Sequence, residues 1–122
     1  MTRYRKTFGK WGERLAHDYL VQRGYTILEL NYHTPYGELD LVALKDGMVI
    51  FVEVKTRSSK KYGLPEDAIT RSKQAHLLDA ATYFIQHHPD LGGNWQVDVI
   101  AIERNSPNLP AHITHFENAI TR

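Results

Sequence analysis

Three charged residues stand within or at the end of the most hydrophobic runs of this chain, where charges are normally avoided. The run at residues 37–43 contains Asp40, and the run at residues 49–55 ends with Glu53 and Lys55. Burying an unpaired charge costs several kcal/mol. Two acids and a base in these positions therefore indicate a site that uses them.

The local pattern predicts that these side chains meet at one end of a β-hairpin. Both runs are short, rich in Val and Ile, and bounded by turn residues, which is typical of strands. The pair Asp46-Gly47 between them is a strong hairpin signal, so the first strand should start beside the end of the second. Because side chains alternate along a strand, Glu53 and Lys55 should point to the same face.

Such a set suits metal-assisted hydrolysis of a phosphodiester. Two carboxylates a few ångströms apart repel each other and favour a hard divalent cation such as Mg²⁺. A bound cation polarises a phosphoryl oxygen and lowers the pKa of a coordinated water. A neighbouring lysine can stabilise the developing charge or orient the attacking water. We therefore predict catalytic roles for Asp40, Glu53 and Lys55.

These residues resemble the D…(D/E)xK signature of the restriction-endonuclease-like, or PD-(D/E)xK, nuclease superfamily. The wider pattern resembles the YraN-like (UPF0102) family of small uncharacterised bacterial proteins, which is similar to archaeal Holliday-junction resolvases. The resemblance runs from about Phe8 to Ala119 and departs from the family at His33 and Gln96, where arginine is usual. It is carried by Gly12-Glu13, Gly24-Tyr25, Asn31, residues 37–40, residues 51–57, residues 97–99 and Asn118-Ala119.

The resemblance implies an α/β fold with a restriction-endonuclease-like core, in which a mixed β-sheet is flanked by helices. It implies Mg²⁺ or Mn²⁺ as cofactor, bound by Asp40, Glu53 and the carbonyl of Val54. Glu13, on the first helix, resembles a helical acid that adds a metal contact directly or through water. The alternative for Glu13 is an acid favoured by the helix dipole.

Basic residues near the acids are candidates for holding a nucleic-acid backbone. Net charge is only +1, but local basic clusters can bind phosphates because each contact acts over a short range. The alternative is that they form a solvated loop, or that Lys73 covers apolar surface. The candidates are Arg57, Lys60, Lys61 and Lys73.

Composition fits one soluble domain over residues 1–122, with residues 1–6 as a flexible basic tail. The chain is 42% hydrophobic and 24% charged, and it has no run near the ~20 apolar residues of a membrane span. No apolar region follows the basic start, so we expect no secretory signal. Cysteine is absent, which is compatible with the cytoplasm. P-loops, dinucleotide fingerprints and nucleophile elbows are absent too.

Periodicity and turn residues predict the element order α-β-β-β-α-β-β. Asp98 lies in an apolar strand, and we expect it to pair with a buried donor rather than a metal. Roles for Glu38 and His33 stay open. Besides the hairpin, the predicted elements are a helix over 7–23, a strand over 25–31 with a loop over 32–37, a helix from Pro65 to Ile85 with a break near residues 70–72, a strand over 95–103 and an edge strand over 111–116.

The sequence thus favours a metal-dependent endonuclease acting on DNA rather than RNA, with branched DNA as one candidate substrate. Two alternatives remain. The first is a non-catalytic nucleic-acid-binding module on a nuclease fold, and the second is a structural hairpin in which Lys55 pairs with Glu53. Junction resolvases act as dimers, but the oligomeric state of this chain stays open, as does the form of its substrate.

Overall fold

In the part of the chain that the structure describes, the fold is an α/β arrangement with a five-stranded sheet between two helices. A computed structural model describes residues 3–58, 69–106 and 108–122. Neither helix in those ranges is long and apolar enough to cross a bilayer. The elements are α1 (Arg3–Gln22), β1 (Thr26–Thr34), β2 (Gly37–Lys45), β3 (Met48–Arg57), α2 (Arg71–Gln86), a short 3₁₀ turn (Pro89–Leu91), β4 (Trp95–Glu103) and β5 (His112–Ile120).

The sheet is mixed, as predicted. Its strands follow chain order from β1 to β5, with β3 and β4 parallel and the other neighbours antiparallel. A parallel pair needs a crossover connection, and the segment that contains α2 supplies it. The predicted order α-β-β-β-α-β-β is confirmed.

The β2–β3 hairpin forms through the turn that the sequence predicts. Asp46 and Gly47 both have positive φ, 51° and 78°, which is the requirement of a type I′ turn. Lys45 pairs with Met48, and the ladder continues as far as Leu41 opposite Val52. The turn therefore sets which residues face each other at the far end of the hairpin.

Each face of the sheet carries its own core. On the α1 face, α1 approaches β3 closely because Gly12 has no side chain: a Cβ there would collide with the methyl group of Thr56. The α1 cluster comprises Ala16, Leu20, Leu41, Ile50, Val52, Ile100 and Ile102. The larger α2 cluster includes Leu39, Val42, Val49, Phe51, Leu77, Leu78, Ala81, Phe84, Val97 and Val99.

Both edge strands are irregular. Asn31 in β1 and Asn118 in β5 have φ of 51° and 50°, in the left-handed region that asparagine tolerates better than most residues. The ladder also shifts register between Ile27 and Glu29, and again where Val97 and Val99 face β5.

Several element ends differ from the sequence prediction. The strand β1 continues to Thr34, so the predicted loop over 32–37 shrinks to a tight turn, and β5 runs on to Ile120. The helix α1 starts at Arg3, so residues 3–6 are helical rather than a flexible tail, since no helix breaker precedes Thr7.

The second helix begins at the predicted break. Thr70 is extended and its side chain accepts a hydrogen bond from the Lys73 N–H at 3.1 Å, so Arg71 is the first helical residue. Residues 59–68, which include Lys60, Lys61 and the predicted helix start at Pro65, lie outside the described part of the chain.

Candidate active site

Asp40 and Glu53 meet at the open end of the β2–β3 hairpin, as the sequence predicts. They lie just beyond the last registered pair, Leu41 opposite Val52. The backbone N–H of Val54 donates to Asp40 Oδ2 at 2.9 Å, which ties this carboxylate to the neighbouring strand. The Asp40 carboxylate is therefore held against the backbone of Val54, the residue between Glu53 and Lys55.

Glu53 is the most unusual carboxyl group of this site. Its side chain is 6% exposed. Burial, together with the nearby charge of Asp40, raises the pKa of Glu53 to about 8. The cations of Lys73 and Lys55 lower this pKa but do not offset the burial. A proton on Glu53 can also be shared with Asp40 by a hydrogen bond.

The oxygens of this pair fit a hard divalent cation. Glu53 Oε1 is buried and finds no hydrogen-bond partner in the described part of the chain. A carboxylate oxygen that has no hydrogen-bond partner and lies beside a second carboxylate can serve as a ligand for Mg²⁺ or Mn²⁺. Within residues 3–58, 69–106 and 108–122, no group of three or more His, Asp or Glu side chains is placed to hold a metal. Mg²⁺ commonly takes only one or two protein carboxylates and completes its shell with water and substrate phosphate.

Glu13 belongs to a second acidic group next to this pair. The Asn31 amide, oriented by its partners, donates to Glu13 Oε1 at 3.1 Å and to Glu38 Oε1 at 2.9 Å. Burial raises the pKa of Glu13, and Asp40 raises it further. Glu13 is thus close enough to Asp40 to feel its charge, while its oxygen is engaged by Asn31. Its predicted metal contact, direct or through water, stays a prediction.

The structure places the predicted cations at different distances from the acids. Lys73 Nζ lies 4.0 Å from Glu53 Oε2, so the lysine of α2 reaches the buried acid rather than only covering apolar surface. Lys55 also acts electrostatically on Glu53. Arg57 lies at the end of β3, opposite Glu103 of β4. Lys60 and Lys61 fall outside the described residues.

Asp98 has the structural role that we expected. It is fully buried, and His115 Nε2 lies 2.7 Å from its Oδ2. The side chain of Gln96 and the backbone N–H of Asn118 donate to Oδ1 at 2.9 and 2.8 Å. Because Asp98 alternates with Val97 and Val99, it faces α1, whereas Glu53 faces α2. A metal role shared with Glu53 is therefore not supported.

Sequence reasoning gave no role to Asn31 and left Glu38 and His33 open. His33 Nδ1 lies 3.3 Å from Glu38 Oε2 and is strongly exposed, so it pairs with the acid across β1 and β2. In the sequence, Asn31 stood out only as one of the residues that carry the resemblance to the family. Its left-handed φ within a strand, which aims its amide at both acids, is a property that the sequence does not show.

Comparison with known proteins identifies relatives but no activity. The model of the "Uncharacterised protein family UPF0102" matches residues 12–102. A UPF0102 protein of Syntrophomonas wolfei is 47% identical over 97 residues, which is 80% of this chain and 84% of the relative. A UPF0102 protein of Syntrophotalea carbinolica is 40% identical over 119 residues, 98% of this chain and 95% of the relative. One of Roseiflexus castenholzii is 38% identical over 98% of both chains.

Proposed function

The chain belongs to the UPF0102 family, and we propose that it is a metal-dependent nuclease with a restriction-endonuclease-like site built on the β2–β3 hairpin. The carrying observation is Glu53 Oε1, which is buried beside Asp40 and has no hydrogen-bond partner in the described part of the chain. A purely structural hairpin has no reason to bury one carboxyl group beside another and leave one of its oxygens without a donor among the described residues. A site for a divalent cation accounts for both features.

We assign separate roles to the two acids and to Lys55. Asp40 and Glu53 would hold Mg²⁺ or Mn²⁺, with the Val54 carbonyl as a further oxygen ligand. When bound, the cation supplies Lewis-acid stabilisation of the phosphate and an activated water. Lys55 would orient that water or stabilise charge on the phosphate. The ion pair found with Glu53 is made by Lys73. We therefore propose that Lys55 acts on the substrate.

The Val54 N–H bond to Asp40 supports this assignment. Catalytic groups must be held in a fixed geometry, and a backbone donor fixes the Asp40 carboxylate more firmly than a mobile side chain would. We propose DNA as the substrate class by resemblance to the junction resolvases, with Arg57, Lys60, Lys61 and Lys73 contacting the backbone.

The test is a cleavage assay on a panel of labelled nucleic acids. The panel contains linear duplex DNA, single-stranded DNA, a flap, a four-way junction and a matched RNA, each with Mg²⁺, Mn²⁺ or EDTA. Lys55→Ala is purified in parallel, because this change should leave the carboxylate pair in place. Cleavage by the unmodified protein, lost in EDTA and in Lys55→Ala, is the expected result, and the best substrate names the form.

Two outcomes would contradict the proposal. If neither protein cuts but both bind one nucleic acid with equal affinity, the chain is a binding module without turnover. If Lys55→Ala cuts as well as the unmodified protein, the activity comes from a contaminating nuclease.

A further inference from the structure

A groove between α1 and β1 adjoins the candidate active site. It has a volume of about 430 Å³ and is lined by Lys10, Glu13 and Arg14 on one side and by Leu30 and Asn31 on the other. Glu13 is common to the groove and to the acidic group described above, so the two are continuous. This volume is typical of a site for one small-molecule unit.

The helix wall of the groove carries two exposed cations, Lys10 and Arg14, beside two acids, Glu13 and Asp18. Lys10 and Arg14 are exposed and lie one helical turn apart, about 6 Å along the axis. Neither forms an ion pair within 4.0 Å among residues 8–58, 69–106 and 108–122. His17, further along the same wall, differs because its Nδ1 already lies 3.0 Å from Asp18 Oδ1.

The strand wall presents one exposed apolar side chain, Leu30, next to the exposed amide of Asn31. Leu30 is 54% exposed, one of the most exposed large hydrophobic side chains in the described part of the chain. Unpaired cations facing an exposed apolar side chain match the two halves of a nucleotide, a charged phosphate and a flat base. In a duplex the bases are paired and stacked inward, so Leu30 would have nothing apolar to contact.

We propose that this groove binds one unpaired nucleotide of the substrate strand, adjacent to the phosphate that is hydrolysed beside the carboxylate pair. Lys10 and Arg14 contact the phosphate of that nucleotide, and Leu30 packs against its base. This inference rests on the proposed function and deepens it: the preferred substrates contain single-stranded nucleotides beside the cleavage point, as flaps and strand ends do. Lys10 and Arg14 thus form a second basic contact with the nucleic-acid backbone, on α1. The first is the basic segment expected after β3.

The test measures binding to a short single-stranded DNA and to the duplex of the same sequence by fluorescence anisotropy. Ca²⁺ replaces Mg²⁺, and a gel verifies that the DNA stays intact. The variants are Lys10→Gln/Arg14→Gln and Leu30→Ser. The matched control, Lys45→Gln/Arg122→Gln, also removes two positive charges. Lys45 lies five residues beyond Asp40 along β2, about 17 Å away, and Arg122 follows the end of β5 that pairs with the start of β4.

We expect Lys10→Gln/Arg14→Gln to bind the single strand roughly 10-fold or more weakly, with a salt dependence shallower by about 0.7 in log–log slope, because one phosphate contact is lost. Leu30→Ser should weaken single-strand binding several-fold and leave duplex binding unchanged. Equal single-strand affinity of the groove variants and the control would overturn the inference. So would a loss that Leu30→Ser causes equally for duplex and single strand.

Failure of this inference can be told apart from failure of the proposed function. If the unmodified protein cuts DNA in Mg²⁺ while the groove variants bind and cut normally, only the groove assignment is wrong. If the unmodified protein neither binds nor cuts any nucleic acid of the panel, the nuclease proposal and the groove assignment are both wrong.

Discussion

The backbone N–H of Val54 donates a 2.9 Å hydrogen bond to Asp40 Oδ2, so the two strands of the β2–β3 hairpin are joined through a carboxylate just beyond their last registered pair. One oxygen of Asp40 is thereby satisfied on the protein side, and Glu53 Oε1 is left without a donor in the described chain.

Removing either carboxylate should weaken metal binding. We expect Asp40→Asn and Glu53→Gln to bind Mn²⁺ at least roughly 10-fold more weakly, because even groups that only support a metal ligand affect affinity by about that much. Isothermal titration calorimetry with Mn²⁺ measures this. Asp46→Asn, in the exposed hairpin turn where asparagine tolerates the positive φ, is the control and should bind normally. Equal affinity in all variants would rule out the carboxylate pair as the metal site.

Lys55→Ala should separate binding from turnover. Lysine is not a ligand of the proposed cation, so Mn²⁺ affinity should change little, while cleavage should fall by about 100-fold or more if the ammonium stabilises charge in the transition state. Single-turnover cleavage, with protein in excess over DNA, isolates the chemical step. A fall in cleavage that merely follows weaker Mn²⁺ binding would mean that Lys55 acts on the metal site instead.

The metal-free protein should lose stability as pH rises toward 8. The pKa of Glu53 is raised by folding, so the folded state binds a proton that the unfolded state has released above its ordinary value of 4.5. The group therefore favours the folded state most at low pH, and this contribution fades as pH passes through the folded pKa.

We expect the free energy of unfolding in EDTA, relative to that of Glu53→Gln, to fall by on the order of 3 kcal/mol between pH 5 and pH 8. Urea denaturation at each pH measures it. The exposed Glu29→Gln variant should keep the pH dependence of the unmodified protein. Parallel curves for the unmodified protein and Glu53→Gln would contradict the raised pKa.

Gly12→Ala should displace α1 from the sheet. The added methyl would collide with the Thr56 side chain, which is stiff at χ1, so we expect a cost of about 1–3 kcal/mol. Gly9→Ala is the matched control on the same helix, because a Cβ there meets nothing within 4 Å. That change should stabilise by roughly 0.5–1 kcal/mol through helix propensity. Urea denaturation measures the free energy of unfolding of both variants. An equal change in the two would show that α1 does not approach the sheet closely at Gly12.

Asp98→Asn should destabilise the fold without altering the metal site. Its carboxylate accepts hydrogen bonds from Gln96 and Asn118 and lies against His115 in full burial, so removing the charge should cost about 2–4 kcal/mol. Chemical denaturation gives the cost, with the exposed Asp46→Asn as control. Mn²⁺ affinity of the folded variant should equal that of the unmodified protein. A clear loss of affinity would place Asp98 in the metal site after all.

The hairpin and its acids could be predicted from sequence because the information there is local. Asp46-Gly47 defines the turn, alternation defines the faces, and together they fix that Asp40 comes beside Glu53. The strand over 95–103 was also predictable from its alternation, and its bounds agree with β4.

Features that depend on register or on unusual backbone were not predictable. The partner of Asp98 is His115, which requires the bulged pairing of β4 with β5. The Asn31 bridge requires a left-handed residue within a strand, and local propensity gives no signal for that. The unpaired cations of the groove could not be recognised either, because Lys10 and Arg14 look like any solvated helix face until Leu30 is placed opposite them.

The two left-handed asparagines also bear on association between molecules. Asn31 and Asn118 each interrupt an outermost strand of the sheet, and each strand also carries a register irregularity. An outermost strand with a regular backbone would be a template for intermolecular β-sheet growth, which is a route to aggregation. These interruptions turn peptide groups of both outermost strands away from the direction in which a further strand would pair. We expect them to act as built-in protection against strand addition, and to direct self-association toward the helical faces.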